Sequence, residues 1–259
     1  MITEPKIALI TGAAKRLGKA IALEMAKAGW DIAVHYGTSE AEAQQTVTEI
    51  KQIGQRAIAL DADLANEHEV SKLISQCQNE LGLPNCIVNN ASLFSYDTAA
   101  TFSYDALARH MSINTAAPIT LARTLHERRQ QSKLTFAHPG VIINLLDQKL
   151  INPNPDYLSY TLSKAALLEA TTLLAQALAP NLRVVGLAPG ITLLSGDQSD
   201  ESFKQSHSMT PLGKSSTPQD IAAAVIYLAG AHAMTGTTLY VDGGQHLQAS
   251  DRDVMFLTK

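Results

Sequence analysis

Short apolar runs alternate along this chain with longer stretches whose apolar residues keep helical spacing. The runs are Ile7–Thr11, Ile32–Tyr36, Ala57–Leu60, Ile87–Asn90, Val141–Leu146, Val184–Leu187 and Leu239–Val241. Between the first two, Leu17, Ile21, Met25 and Ala28 recur every three to four residues. Between the third and fourth, Val70, Leu73, Ile74, Cys77 and Leu81 do the same. Strands that alternate with helices imply βαβ units, a parallel sheet and right-handed crossovers. The class is therefore α/β.

A chain of 259 residues holds one large α/β domain or two small ones. No Pro/Gly/Ser-rich linker or solenoid repeat divides it, so residues 1–259 read as a single domain. Hydrophobic residues at 46% and charged residues at 17% suit a buried core. A net charge of −4 gives no reason to expect nucleic acid or an anionic membrane as partner. The one basic cluster, Arg128, Arg129 and Lys133, reads as a solvated helix end. Cys77 falls on a helix's apolar face and Cys86 opens a strand, so both read as buried reduced thiols. Met1-Ile2-Thr3-Glu4-Pro5 lacks a signal segment, and no apolar run is long enough for a bilayer, which predicts a soluble, cytoplasmic protein. The eight histidines are scattered, and no metal site is expected.

Two stretches read as loops, Thr135–Gly140 and residues 191–213. The second follows a strand and carries Ser195, Gly196, Asp197, Ser199, Asp200 and Ser202. A long polar loop beyond a strand's carboxyl end is where an α/β sheet places its ligand, so 191–213 reads as a substrate lid.

The first strand runs into Thr11-Gly12-Ala13-Ala14-Lys15-Arg16-Leu17-Gly18, and a helix follows. Glycines there let a backbone approach a pyrophosphate, and the helix N-terminus supplies free N–H groups. The second strand ends in His35, Tyr36, Gly37, Thr38 and Ser39, where a NAD-preferring site would carry a carboxylate. His35, Tyr36, Ser39 and Lys15 or Arg16 would instead offer donors to a 2′-phosphate. Ser39-Glu40-Ala41-Glu42 also reads as a helix capping box. Asp63 and Leu64 would flank an adenine, while Asn89, Asn90 and Ala91 would line the cofactor cleft.

Tyr160 and Lys164 stand four apart in a helical stretch and share one face. An ammonium beside a phenol lowers the phenol's pKa from about 10 and makes it a usable acid. Tyr157 cannot make that pair, because Thr161 stands four residues on. Asp147 directly follows the run Val141–Leu146, where it would face a bound nicotinamide or else cap a helix. Asn114, in Met111-Ser112-Ile113-Asn114, sits in a helical pattern that suits Asn poorly, either holding a water near the lysine or exposed.

The motifs Thr11-Gly12…Gly18, Asn89-Asn90-Ala91, Asn114, Tyr160…Lys164, Pro189-Gly190 and Val241-Asp242-Gly243-Gly244 together resemble the short-chain dehydrogenase/reductase family, from about Lys6 to Leu247. The resemblance implies a doubly wound Rossmann sheet of seven parallel strands, hydride transfer from a nicotinamide, and a homotetramer. Tyr160 would be the proton donor, Lys164 would bind the nicotinamide ribose, and Asn114 would hold a proton-relay water. Pro189 and Gly190 would border the cofactor. Arg16 replaces the family's middle glycine, Ser92 the glycine after Asn89-Asn90-Ala91, and Asp147 the usual serine. These departures resemble the pteridine reductase branch, which includes dihydromonapterin reductases. In that branch Phe94 would sandwich a pterin against the nicotinamide, and Arg16 and Ser92 would bridge cofactor and substrate. Some members carry arginine where this chain has Thr38, which implies a looser grip on the 2′-phosphate here.

Asp147 suits the same branch chemically. A carboxylate repels a developing alkoxide but accepts from the N–H groups of a nitrogen heterocycle. If ionised, it would also oppose phenolate formation at Tyr160. The expected function is NADPH-dependent reduction of a pterin at Asn114, Asp147, Tyr160 and Lys164, with dihydrofolate a weaker substrate. The competing readings are a carbonyl reductase or alcohol dehydrogenase of the same fold, and a catalytically silent NADP(H)-binding regulator.

Overall fold

The computed structural model describes residues 6–194 and 200–257. Met1–Pro5 and four lid residues singled out above, Ser195, Gly196, Asp197 and Ser199, lie outside the described residues. Seven strands form one parallel sheet: β1 (Ile7–Ile10), β2 (Asp31–Tyr36), β3 (Ala57–Asp61), β4 (Cys86–Asn89), β5 (Gly140–Leu145), β6 (Leu182–Pro189) and β7 (Thr238–Val241). Their spatial order is β3-β2-β1-β4-β5-β6-β7, with every neighbouring pair parallel. The order reverses between β1 and β4, and that switch point opens a crevice beyond the strands' carboxyl ends.

Alternation along the strands builds two cores. Ala8, Ile10, Ile32, Val34, Val88 and Ile143 point to one face and bury against Ile21 and Met25 of α1 (Arg16–Lys27), Val47 of α2 (Glu40–Ile53) and Val225 of α8 (Pro218–Gly230). Ile7, Leu9, Ala33, Ile87, Ile142 and Val184 point to the other, against Leu73 of α3 (Glu67–Glu80) and Leu121 of α5 (Ala117–Gln131). Both faces are covered, which is why the strands read as unbroken apolar runs. Cys77 and Cys86 are buried in these cores, where desolvation pushes both thiols up to about 12. Among the described residues no helix is long and apolar enough to cross a membrane.

Three features differ from the sequence reading. Arg129 is buried rather than solvated: its guanidinium lies 3.7 Å from the Phe136 ring centroid and donates to the His138 carbonyl. The stretch 191–213 is not all loop, since Asp200–Ser208 forms helix α7 with Ser202 and Ser206 buried. Ser39 stands at the N-cap of α2, but its side chain makes no capping bond, so the expected box does not close.

α4 (Tyr104–Met111) leads through a π-helical turn, Ser112–Ala116, into α5. The wider turn rotates Asn114 inward, where it is 1% exposed. α6 (Leu158–Ala177) carries Tyr160 and Lys164 on its buried face. Its first turn is fixed from a distance: Asp97 accepts the Ser159 amide at 2.9 Å and the Ser159 hydroxyl, and Tyr157 before it adopts φ +55°. A carboxylate at a helix N-terminus satisfies open N–H groups and complements the dipole.

Candidate active site

A cleft of about 610 Å³ opens at the switch point. One end is built by the turn after β1. Gly12 has φ +64°, and an added Cβ would meet Ala91 at 3.1 Å. Gly18 is needed for space alone, because a Cβ there would lie 2.2 Å from the Gly12 carbonyl oxygen and 2.5 Å from Asn90 Nδ2. Asn90 Nδ2 itself donates to the Thr11 and Gly12 carbonyls, tying the ends of β1 and β4 together. No side chain caps α1, so its first N–H groups face the cleft end uncapped. Arg16 holds φ +54°, a left-handed conformation natural to glycine, and its guanidinium donates to the Leu194 carbonyl. It thereby spans the cleft from the turn to the loop after β6.

Gly12, Arg16, Leu17, Gly18, Asn90, Ala91, Ser92, Phe94, Asp147, Pro189 and Gly190 all line this cleft. Gly190 is confined by space: a Cβ would meet Ser215 Oγ at 2.5 Å and Asp242 at 2.8 Å. Phe94 stacks one ring face on Tyr157 at 4.2 Å and meets Tyr160 edge-on at 4.7 Å, leaving its other face for a ligand.

The second-strand residues behave differently from one another. His35 is not a phosphate donor. Its Nδ1 accepts the Gly12 amide at 3.0 Å, and Nε2 then carries the proton towards the Ala62 carbonyl at 3.1 Å. The ring is 2% exposed, and burial lowers its pKa. Tyr36 and Ser39 are half-buried and keep their hydroxyls. The region is less free of acid than residues 36–39 suggest: burial and the charges of Glu40 and Asp61 raise the Tyr36 hydroxyl pKa. Leu64 packs its side chain into the core, and Asp63 accepts the Ala65 amide within its own turn. Neither side chain lines the cleft.

The residues expected to carry the chemistry assemble just behind the cleft wall. Tyr160 is 7% exposed and Lys164 2%. The Tyr160 hydroxyl donates to Asp147 Oδ2 at 2.8 Å, and Asp147 lines the cleft in front of it. Lys164 Nζ donates to the Leu145 carbonyl at 2.6 Å and lies 5.8 Å from the Tyr160 ring centroid. The expected lowering of the phenol pKa by the ammonium is not what the geometry gives. Burial, followed by the charge and hydrogen bond of Asp147, raises Tyr160 well above its ordinary value. Burial lowers Lys164 to about 8, with Asp147 opposing. Asp147 also fulfils the capping alternative, since Oδ1 accepts the Lys149 amide of the short helix Gln148–Leu150 at 2.9 Å.

Asn114 is buried, which removes the exposed alternative. Its amide donates to the Leu93 carbonyl and Ser163 Oγ, both at 2.9 Å, while Oδ1 accepts the Leu93 amide and Ser92 Oγ. Both donors and both lone pairs are engaged by protein, so this side chain positions the Ser92–Leu93 segment.

Sequence reasoning missed the far wall. Lys149, Asp253, Met255 and their neighbours between Gln248 and Leu257 line the cleft. Nothing in the chain's motifs marks this tail; a lysine two residues after Asp147 was the only available signal.

A family profile described as enoyl-(acyl carrier protein) reductase matches residues 12–246. An uncharacterized oxidoreductase of Mycobacterium tuberculosis is 34% identical over 93% of this chain and 92% of its own. The 3-oxoacyl-[acyl-carrier-protein] reductase FabG of Staphylococcus aureus is 30% identical over 93% of this chain and 98% of its own. Among solved structures, FolM alternative dihydrofolate reductase 1 from Brucella suis, in complex with NADP, superposes with a TM-score of 0.85. It is 34% identical and covers 94% of this chain and 96% of that one.

Proposed function

The chain belongs to the short-chain dehydrogenase/reductase family and is an oxidoreductase of that family; from this premise we propose that it reduces a dihydropterin with NADPH. The observation that carries the reading is the Asp147 carboxylate, which lines the cleft while accepting the Tyr160 hydroxyl. A ketone reduced at that place would develop an alkoxide against a carboxylate. A pterin presents amino and ring N–H donors that a carboxylate accepts, and it takes its proton on nitrogen.

The dinucleotide cradle fits the cofactor. A Cβ at Gly12 would press on Ala91 and one at Gly18 would collide with the Gly12 carbonyl, so both glycines are needed for the turn to keep its shape, and the uncapped α1 N-terminus suits a pyrophosphate. Tyr36 and Ser39 would hold the 2′-phosphate, with Arg16, Asn90, Ala91, Pro189 and Gly190 along the cleft. The bound dinucleotide supplies a hydride. Phe94 offers one free ring face for stacking a flat heterocycle. Tyr160 keeps its proton at neutral pH and passes it towards the cleft by way of Asp147, the group placed between them. Lys164 fixes the Leu145 carbonyl behind the pair and would reach the nicotinamide ribose. Likeness to the NADP-bound Brucella enzyme supports both cofactor and substrate.

Likeness to a 3-oxoacyl reductase favours a second reading, reduction of a ketone. NADPH oxidation across a panel of dihydropterins, dihydrofolate and 3-oxoacyl thioesters separates the two. The pterin reading expects turnover of a dihydropterin, with Asp147→Ser lowering it and sparing any ketone activity. Turnover of oxoacyl substrates alone overturns it.

A further inference from the structure

The family profile ends at residue 246, yet much of the cleft's far wall comes from the chain beyond it. That tail is held down at several points. Arg252 grips Asp156 with two bonds, Nε–Oδ2 at 2.8 Å and Nη2–Oδ1 at 3.0 Å, and the Asp253 amide donates to the same carboxylate at 2.7 Å. Burial alone would raise the Asp156 carboxyl; Arg252 and that amide hold it below its ordinary value. Tyr157 Oη donates to Met255 Sδ at 3.5 Å, and Phe256 packs against Tyr96 at 5.4 Å. Lys149, 5% exposed, donates to the Asp156 carbonyl at 2.6 Å and lies 3.7 Å from Asp253 Oδ2. Burial opposes both charges, lowering Lys149 and raising Asp253, and their juxtaposition counters it in each.

We propose that residues 248–257 form the wall that reads the substrate's substituent, and that the Lys149–Asp253 pair decides which substituents it accepts. Both cations of this flank are engaged, Arg252 by Asp156 and Lys149 by Asp253. A substituent bearing carboxylates meets Asp253 and finds Lys149 already neutralised. A substituent bearing hydroxyls meets Asn154, Gln248, Ser250 and the Asp253 carboxylate, all able to pair with it. Discrimination between ligands that share one ring is thus a property of the tail. The chemistry of the substituent rests on the pterin reading.

The test is titration of full-length, NADP⁺-loaded protein with two diaminopteridines, one carrying a hydroxymethyl group and one, methotrexate, carrying a glutamate. Wild type should favour the hydroxymethyl ligand relative to the Asp253→Asn variant. That variant removes the Asp253 charge from Lys149, which keeps its bond to the Asp156 carbonyl, and should shift the ratio of dissociation constants towards methotrexate by roughly threefold or more, the scale of a partly buried charge pair. Arg252→Ala, which removes one latch of the wall and keeps both charges of the Lys149–Asp253 pair, should weaken the hydroxymethyl ligand and leave the NADPH dissociation constant unchanged. Wild type that binds both ligands, with a ratio unmoved in Asp253→Asn, overturns the proposal and leaves the pterin reading standing. Wild type that binds neither overturns both.

Discussion

Asp147 accepts the Tyr160 hydroxyl at 2.8 Å, while the lysine one turn along the same helix face donates to a main-chain carbonyl. The carboxylate therefore governs the phenol more closely than the ammonium does. A phenol held by an acceptor and buried stays protonated, which favours giving a proton over taking one. Tyr160→Phe keeps the ring against Phe94 and removes that proton. Turnover should fall about 10²-fold or more, with little change in NADPH affinity. Single-turnover rates alongside fluorescence titration check both. Retained turnover would move the donor role to Asp147 itself.

The pH profile should follow the lysine. Lys164 is lowered to about 8, so its ammonium is present below that pH and lost above it. Tyr160, raised well above 10, does not titrate in the same window. Reduction measured as kcat/KM should therefore decline as pH rises through about 8. Lys164→Arg, charged throughout, should lose that limb whatever its absolute rate. A wild-type profile level from pH 7 to about 9.5 would contradict the assignment.

Cofactor choice should be set at the end of β2. NADPH should be preferred over NADH, because Tyr36 and Ser39 offer hydroxyls and Thr38 carries no charge. Glu40 and Asp61 already act on Tyr36, so one more carboxylate should be poorly tolerated. Thr38→Asp should raise the NADPH KM roughly tenfold through like-charge repulsion at the 2′-phosphate and leave NADH use nearly unchanged. Equal kcat/KM for the two cofactors in wild type would count against the reading.

Gly18 tests the cradle. Its Cβ would fall 2.2 Å from a backbone oxygen, which no side-chain rotation relieves. Gly18→Ala should cost about 1–3 kcal/mol or more and weaken NADPH binding. Gly230→Ala, with nothing within 4 Å of its Cβ, serves as the control and should be neutral or slightly stabilising. Thermal midpoints of the two variants, with and without NADPH, make the comparison.

The sheet was legible because its five inner strands are buried on both faces and so carry little polar alternation to blur them. The Gly12–Gly18 turn and the Tyr160–Lys164 spacing were legible because local geometry dictates them. What could not be read depends on partners outside a residue's own helix or strand. His35 looked like a free donor until the Gly12 amide, 23 residues away, occupied it. Arg129 looked like a surface charge until Phe136 and the His138 carbonyl enclosed it. Asn114 took on a positioning role through Leu93 and Ser163, and Lys149 became part of the cleft only when the tail folded back upon it.

The ring of His35 bridges two strand ends through opposite nitrogens, and this makes the molecule sensitive to acid at one particular place. Burial holds its folded-state pKa below the ordinary 6.5. As pH drops below that value the unfolded chain binds a proton that the folded chain refuses, so stability falls until the folded pKa is passed. A proton forced onto Nδ1 would also set two donors against each other, the imidazolium and the Gly12 amide. The protection factor of the Gly12 amide, taken against its intrinsic exchange rate at each pH, should therefore fall between pH 7 and pH 5 before those of the β5 and β6 core. Acid should reach this protein through the turn after its first strand sooner than through Tyr160.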